Sequence, residues 1–224
     1  MLPSPAPDSC VLVLVRHGAT SANLAVPHVL QGRGLDLSLC DVGIRQAEQV
    51  ATFLARVFDG EPSPALFSSC MKRAIETAER IERRLLLPDR RLRTIERLHE
   101  VDVGRWEGKD YGEIVRTDPI AHQRFLEDPA GVGYPEGETI TDVANRVQPI
   151  FESLAEEHRG QRVVVVSHNV VLRAYLARVL GIPLSQYRVI PQDNCCVNVL
   201  VWQGGTMSVR VVNSTWHMGM KDNL

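Results

Sequence analysis

The apolar positions of this chain fall into two periods. Cys10-Val-Leu-Val-Leu-Val15 is an unbroken apolar, largely β-branched run, the pattern of a strand covered on both faces. From Asp41 to Phe58, residues Ile44, Ala47, Ala51, Leu54 and Phe58 recur at helical spacing, as do Met71, Ala74, Ile75, Ala78, Ile81 and Leu85 further on. Short strands are predicted at Ala65–Phe67 and near Leu92–Ile95. Residues 110–137 are richer in Asp, Gly and Pro, with short helical pieces around Gly112–Val115 and Ile120–Leu126, which predicts an insert folded over one end of a sheet. A long helix stripe runs from Ile140 to Leu154, with a bend expected at Pro149. Arg162–Val166 reads as another buried strand, and Val170–Leu180 is apolar almost all round, so that helix should be deeply buried. Cys196–Trp202 and Met207–Val212 flank Gly204-Gly205, a closing hairpin. Strands alternating with helices before such a hairpin predict an α/β fold, a three-layer α/β/α sandwich around a mostly parallel sheet.

Composition narrows the class. The chain has 224 residues, 25 basic against 27 acidic side chains, and a formal net charge of −2, which argues against a broad nucleic-acid or membrane footprint. No uncharged apolar run approaches the roughly 18 residues of a membrane span. The proline-spaced start, Met1 to Pro7, lacks the basic region of a secretory signal. Cys10, Cys40, Cys70, Cys195 and Cys196 are odd in number and contain no CxxC, so reduced thiols and a cytoplasmic setting are expected. The histidines contain neither HxH nor HExxH, and GxGxxG and GxxxxGK[ST] are absent. Zinc-hydrolase spacing is therefore absent, and dinucleotide and nucleoside-triphosphate readings are weakened.

In sheets of this kind ligands gather at the carboxyl ends of the strands. Arg16-His17-Gly18 ends the first strand and Ser167-His168-Asn169 ends the strand at 162–166; Ser68-Ser69 leads into a helix carrying Arg73 on its first turn. A histidine directly after a buried strand costs desolvation unless it is paired, and a lone one is more often structural. Two at equivalent strand ends, with two arginines nearby, reverse that balance. Arginines match phosphate oxygens. One neutral imidazole can attack phosphorus and form a phosphohistidine. A second, protonated, can neutralise charge in the transition state. The proton donor this chemistry lacks is offered by Glu100 in Leu98-His99-Glu100, since a bound phosphate dianion beside it favours the protonated acid.

Arg16-His17-Gly18-Ala19-Thr20 with Asn23 resembles the RHG(E/A)T…N signature of the histidine phosphatase superfamily, which includes the cofactor-dependent phosphoglycerate mutases. The resemblance continues through Gln31-Gly32, Gly43 with Gln46-Ala47, Ser68 to Thr77, Leu98–Gly108, Pro135 to Thr139 and Ser167-His168, spanning about residues 11–200. It implies a phosphoglycerate mutase-like fold, His17 as nucleophile, Arg16, Arg73 and His168 as a phosphate clamp, and Asn23 as a further phosphate donor. Glu100 would be the acid that later activates water, and no metal or organic cofactor is implied. Thr20, Gln31, Gly32 and Asn169 are expected near the phosphate. The family usually has glycine where this chain has Asn169, a residue that tolerates left-handed backbone better than most.

Mutases of the family carry Tyr and Lys where this chain has Val103 and Tyr111, and the insert has only the separated Arg116 and Arg124. Gly104 to Gly108 followed by Asp110 to Ile114 is similar to the family's phosphatases. The expected activity is therefore metal-independent hydrolysis of a small-molecule phosphomonoester. The alternatives are a 2,3-bisphosphoglycerate-dependent phosphoglycerate mutase and a non-catalytic phospho-ligand binding module. The expected organisation is a proline-rich tail at 1–9, one domain over 10–213 with a lid at about 109–137, and a tail at 214–224. No nucleic-acid or membrane partner is expected, and the chain should be a monomer or homodimer. Arg83, Arg84, Arg90, Arg91 and Arg93 interleave with acidic residues and read as a solvated face. Cys195 and Cys196 read as sheet residues, Trp106 as a lid or core aromatic, and His99 and His122 as surface or rim. Arg33, Lys109 and Glu138 are possible substrate contacts.

Overall fold

The computed structural model describes residues 3–86 and 92–219. Met1, Leu2 and residues 220–224 of the expected tails, with Arg90 and Arg91 of the arginine cluster, lie outside the described residues.

The chain runs β1 (Ser9–Arg16), α1 (Ser21–Leu24), α2 (Asp41–Val57), β2 (Ala65–Ser69), α3 (Lys72–Arg84) and β3 (Arg93–Ile95). It continues through α4 (Tyr111–Thr117), α5 (Pro119–Glu127), α6 (Ile140–Glu157), β4 (Arg162–Ser167) and α7 (Asn169–Leu180) to the hairpin β5 (Val197–Gln203) and β6 (Thr206–Ser214). The sheet order is β3-β2-β4-β1-β5-β6. Its first four strands are parallel, β5 is antiparallel to β1, and β6 is antiparallel to β5. The mostly parallel sheet is thus a mixed one. β1 takes in Ser9 and β6 takes in Ser214, two residues assigned to the tails from sequence.

The apolar run of β1 feeds two cores. Leu12 and Leu14 face one side with Val163 and Val165, under α6, α7 and the insert. Val11, Val13 and Val15 face the other with Val164 and Val166, under α2 and α3. Alternate side chains point to opposite faces, so a strand apolar at every position requires a helical layer on each side. That is the α/β/α sandwich, and it explains why β1 and β4 lack polar alternation.

Helix limits follow local chemistry. Thr139 caps α6 in a reciprocal box with Asp142, and Gly181 ends α7 in the left-handed conformation at φ 68°. Pro149, where a bend is expected, lies on the exposed side of α6, and the helix continues past it to Glu157. Trp106 belongs to the core: it is 1% exposed, packs edge-on to Phe125 and Tyr134, and donates from Nε1 to Asp118 Oδ2 at 3.0 Å. Those contacts fasten the insert to the sandwich. Arg83, Arg84 and Arg93 are exposed, as a solvated face should be. Cys195 and Cys196 are corrected from strand to the segment before it: Cys195 sits in a turn at φ 55°, and β5 begins only at Val197.

Candidate active site

β1 and β4 are neighbours with Arg16 in register with Ser167. The residue after each strand is a histidine, so His17 and His168 leave the sheet side by side, their ring centroids 5.1 Å apart. Both are buried. Gly18 and Gly43 allow this exit, since a Cβ on Gly18 would strike the Gly43 backbone in the first turn of α2 and one on Gly43 would strike the Ala19 backbone.

The hydrogen bonds of His17 fix its tautomer. Nδ1 lies 2.7 Å from the Gly18 carbonyl, which can only accept, so Nδ1 carries the proton. Nε2 is then the bare nitrogen, and it accepts from Arg73 Nε at 3.3 Å. Arg73 is also held by Leu35 O and Gly32 O, each at 3.1 Å, and reaches this position from the first turn of α3. Arg16 donates from Nη1 to Gln192 O at 2.6 Å, with Nε left without a partner. Among the described residues neither ring nitrogen of His168 has a hydrogen-bond partner. Buried polar atoms are normally satisfied, so among the described residues this cluster has N–H groups to spare, an arrangement that can receive an anion.

Glu100 follows a single 3₁₀ turn, Glu96–Leu98, rather than β3 directly. Its carboxylate accepts from Val101 N at 2.9 Å and, across the pocket, from Val170 N at 3.3 Å. A pocket of about 100 Å³ is lined by Arg16, His17, Asn23, Gln31, Glu100 and Asn169 from the residues singled out by sequence. Val103 and Tyr111 line it too, as do His28, Leu30, Val101, Val170, Tyr134, Arg173, Tyr187 and Arg188. Arg73 and His168 adjoin His17 outside that lining, each 1% exposed or less.

Thr20 and Gly32 act one step back. Thr20 Oγ1 donates to Gln31 Oε1 at 2.6 Å and its backbone N–H to Asn23 Oδ1 at 3.1 Å, which orients two lining side chains. Gly32 gives its carbonyl to Arg73 and its N–H to Glu107 Oε1 at 2.7 Å. Asn169 opens α7 with right-handed backbone, so its left-handed tolerance is not called upon. Arg33, Lys109 and Glu138 stay out of the pocket: Arg33 lies near Asp102, Lys109 near Glu113, and Glu138 binds Arg146 at 2.8 Å. His99 and His122 are half-buried, the first on its own chain at Glu100 O, the second against Trp106.

Sequence reasoning missed the turn before β5. Asn194 Nδ2 donates to His17 O at 3.0 Å, and Cys195 N to Arg16 O at 3.1 Å. Because β5 is antiparallel to β1, the residues before β5 meet the end of β1. The polar stretch Gln192-Asp193-Asn194 before the expected hairpin was the available signal.

Burial, with the fields of Arg73 and Arg16, holds His17 well below the usual imidazole range of about 6.5. Burial and Arg73 do the same for His168. Each therefore stays neutral in the fold at pH values where the unfolded chain binds a proton. Stability is then present above about pH 6.5 and declines as pH falls below it, by roughly 1.4 kcal/mol per pH unit for each such group. Urea unfolding at steps from pH 7.5 to 5.5 should show this decline, shallower in His168→Gln. An equal slope in the two proteins would contradict the assignment of His168 as a neutral buried base.

Among the described residues no helix is long and apolar enough to cross a membrane. The family model of the histidine phosphatase superfamily, branch 1, matches residues 12–215. Phosphoserine phosphatase 1 of Hydrogenobacter thermophilus is 32% identical over 212 residues, covering 93% of this chain and 94% of that protein. A metal-independent phosphoserine phosphatase of Arabidopsis thaliana is 34% identical over 169 residues, 75% of this chain and 68% of its own. The solved structure of YhfR from Bacillus stearothermophilus superposes with a TM-score of 0.81 at 32% identity, covering 93% of this chain and 99% of that one. With the paired strand-end histidines and the match running from β1 through β6, the chain belongs to the histidine phosphatase superfamily, branch 1, and is a phosphoric monoester hydrolase of that type.

Proposed function

We propose that this chain hydrolyses a small-molecule phosphomonoester without a metal ion, through a phosphohistidine on His17. The observation that carries the reading is the tautomer: Nδ1–H is spent on Gly18 O, which leaves the Nε2 lone pair beside Arg73 and His168. In the first step Nε2 attacks phosphorus, the P–O ester bond breaks, and the leaving oxygen takes the proton of the Glu100 carboxylic acid. In the second, the Glu100 carboxylate removes a proton from water as its oxygen bonds phosphorus. The P–N bond breaks, His17 is restored and phosphate departs. Arg16, Arg73 and His168 hold the equatorial oxygens, with His168 taking up a proton as the dianion arrives. Asn23, Gln31 and Asn169 complete the wall near the phosphoryl group, while Thr20 and Gly32 set their positions.

Val103 and Tyr111 stand at the pocket wall where mutases of the family carry Tyr and Lys, which favours transfer to water over transfer to a second hydroxyl. The reading takes residues 10–213 as one catalytic domain, adjusted to include Ser9 and Ser214, with the 109–137 segment as a wall of the pocket. It places the protein in the cytoplasm as a monomer or homodimer. Supporting the compartment, all five cysteines are free and Cys10, Cys195 and Cys196 are buried thiols.

The two relatives' names put phosphoserine at the head of a substrate panel. In EDTA, phosphate release from at least one small phosphomonoester is expected, and 3-phosphoglycerate traced by phosphorus NMR with a catalytic amount of bisphosphoglycerate should lose phosphate faster than it isomerises. Isomerisation outrunning release would replace hydrolysis by the mutase activity.

A further inference from the structure

The pocket holds more positive charge than one phosphoryl group uses. Among the described residues Arg16, Arg173 and Arg188 line it against a single carboxylate, Glu100, which has its own role. Arg16 and the buried Arg73 beside His17 suffice for the phosphate. Arg173 and Arg188 are surplus. Among the described residues neither lies within ion-pair distance of a carboxylate. A lone arginine at a surface needs no such partner, but these two are half-buried and face a cavity.

Both are positioned. Arg173 lies one turn beyond Asn169 on α7, so the two share a helix face toward the pocket. Its Nε is buried without an acceptor among the described residues. Arg188 comes from the turn at Leu184–Val189, and its guanidinium lies 4.8 Å from the Phe125 ring centroid and 5.3 Å from that of Tyr187. Aromatic faces fix the plane of a guanidinium and leave its N–H edge free to donate. Leu30, Val101 and Val103 supply an apolar wall for a short carbon skeleton.

We propose that Arg173 and Arg188 form a second anion subsite, selecting phosphomonoesters whose leaving group carries a carboxylate a few atoms from the ester oxygen. The proposal rests on the phosphatase reading for its kinetics but not for its binding. A carboxylate there gives Arg173 Nε the acceptor it lacks and gives both guanidiniums an ion-pair partner, which a neutral leaving group of the same size does not.

The test compares phosphoserine with O-phosphoethanolamine, which lacks only the carboxylate, in wild type, Arg173→Gln, Arg188→Gln and Arg188→Lys. In wild type kcat/KM should favour phosphoserine by roughly ten- to a hundredfold. Each Gln variant should cut that ratio at least tenfold, chiefly through KM, and Arg188→Lys should keep part of it. Equal losses on both esters, or a wild-type ratio near one, would overturn the subsite. Calorimetric titration with phosphoglycolate and with ethyl phosphate needs no turnover. Tighter binding of phosphoglycolate by wild type, abolished in Arg188→Gln, supports the subsite even if no ester is hydrolysed, an outcome that would overturn only the phosphatase reading. Equal affinities of the two ligands for wild type would overturn the subsite whatever the rates.

Discussion

His17→Ala is expected to lower phosphate release on the order of 10⁴-fold or more, while thermal unfolding at pH 7.5 stays cooperative. The size of the effect follows from the two-step route. Without Nε2 no P–N bond can form, and water would have to reach phosphorus directly, at a position Arg73 and His168 crowd with side chains. The alanine also leaves Arg73 Nε without its acceptor, although Leu35 O and Gly32 O still hold that guanidinium. Its collapse into the vacancy is therefore limited. Acid-sensitive, base-stable phosphate should be trapped on wild-type protein quenched during turnover, and on His17→Ala none. Comparable rates in the two proteins, or a trapped phosphate mapping to another residue, would remove His17 from the role of nucleophile.

The second large effect belongs to Glu100→Gln. The amide is isosteric and its oxygen can still accept from Val101 N, while its NH2 cannot accept from Val170 N, so the longer 3.3 Å bond is given up and the main anchor kept. It cannot deliver a proton. Alkyl phosphates, whose alkoxide is a poor leaving group, should lose roughly 10²–10⁴-fold, whereas a nitrophenyl phosphate should lose far less in the first step. Water activation is impaired for every substrate, so the phosphohistidine should accumulate. Rapid mixing with nitrophenyl phosphate should then give a burst of nitrophenol close to one equivalent of enzyme. Equal losses for alkyl and aryl esters with no burst would mean that Glu100 neither donates the proton nor activates water.

The legibility of this chain was uneven, for physical reasons. β1 and β4 were plain because strands buried on both faces cannot hide their composition, and a histidine ending such a run stands out. α2 and α3 were plain because each has one apolar stripe facing one layer. The four-residue α1 was invisible: one turn held by Thr20 and Asn23 has no period to read. Cys195 and Cys196 looked like strand because both are buried, and no local pattern shows that a left-handed residue turns the chain there. Asn194 escaped because its contact with His17 spans 177 residues and exists only once β5 lies against β1. Arg188 escaped because its orientation depends on Phe125, which comes from the insert.

The pairing of β1 with β4 has a consequence for how this architecture can diverge. Neighbouring strands lie about 4.8 Å apart because main-chain hydrogen bonds set that spacing, and the two imidazoles, each one step beyond an in-register pair, inherit it as 5.1 Å. The backbone ladder serves as a gauge block for the distance between them. A lineage can exchange the valines and leucines of both layers, lengthen the insert or rebuild its rim, and the gauge reads the same so long as the two strands remain paired. The part of the pocket that meets the leaving group has no such reference, being assembled from loops, and is free to drift from one substrate to another.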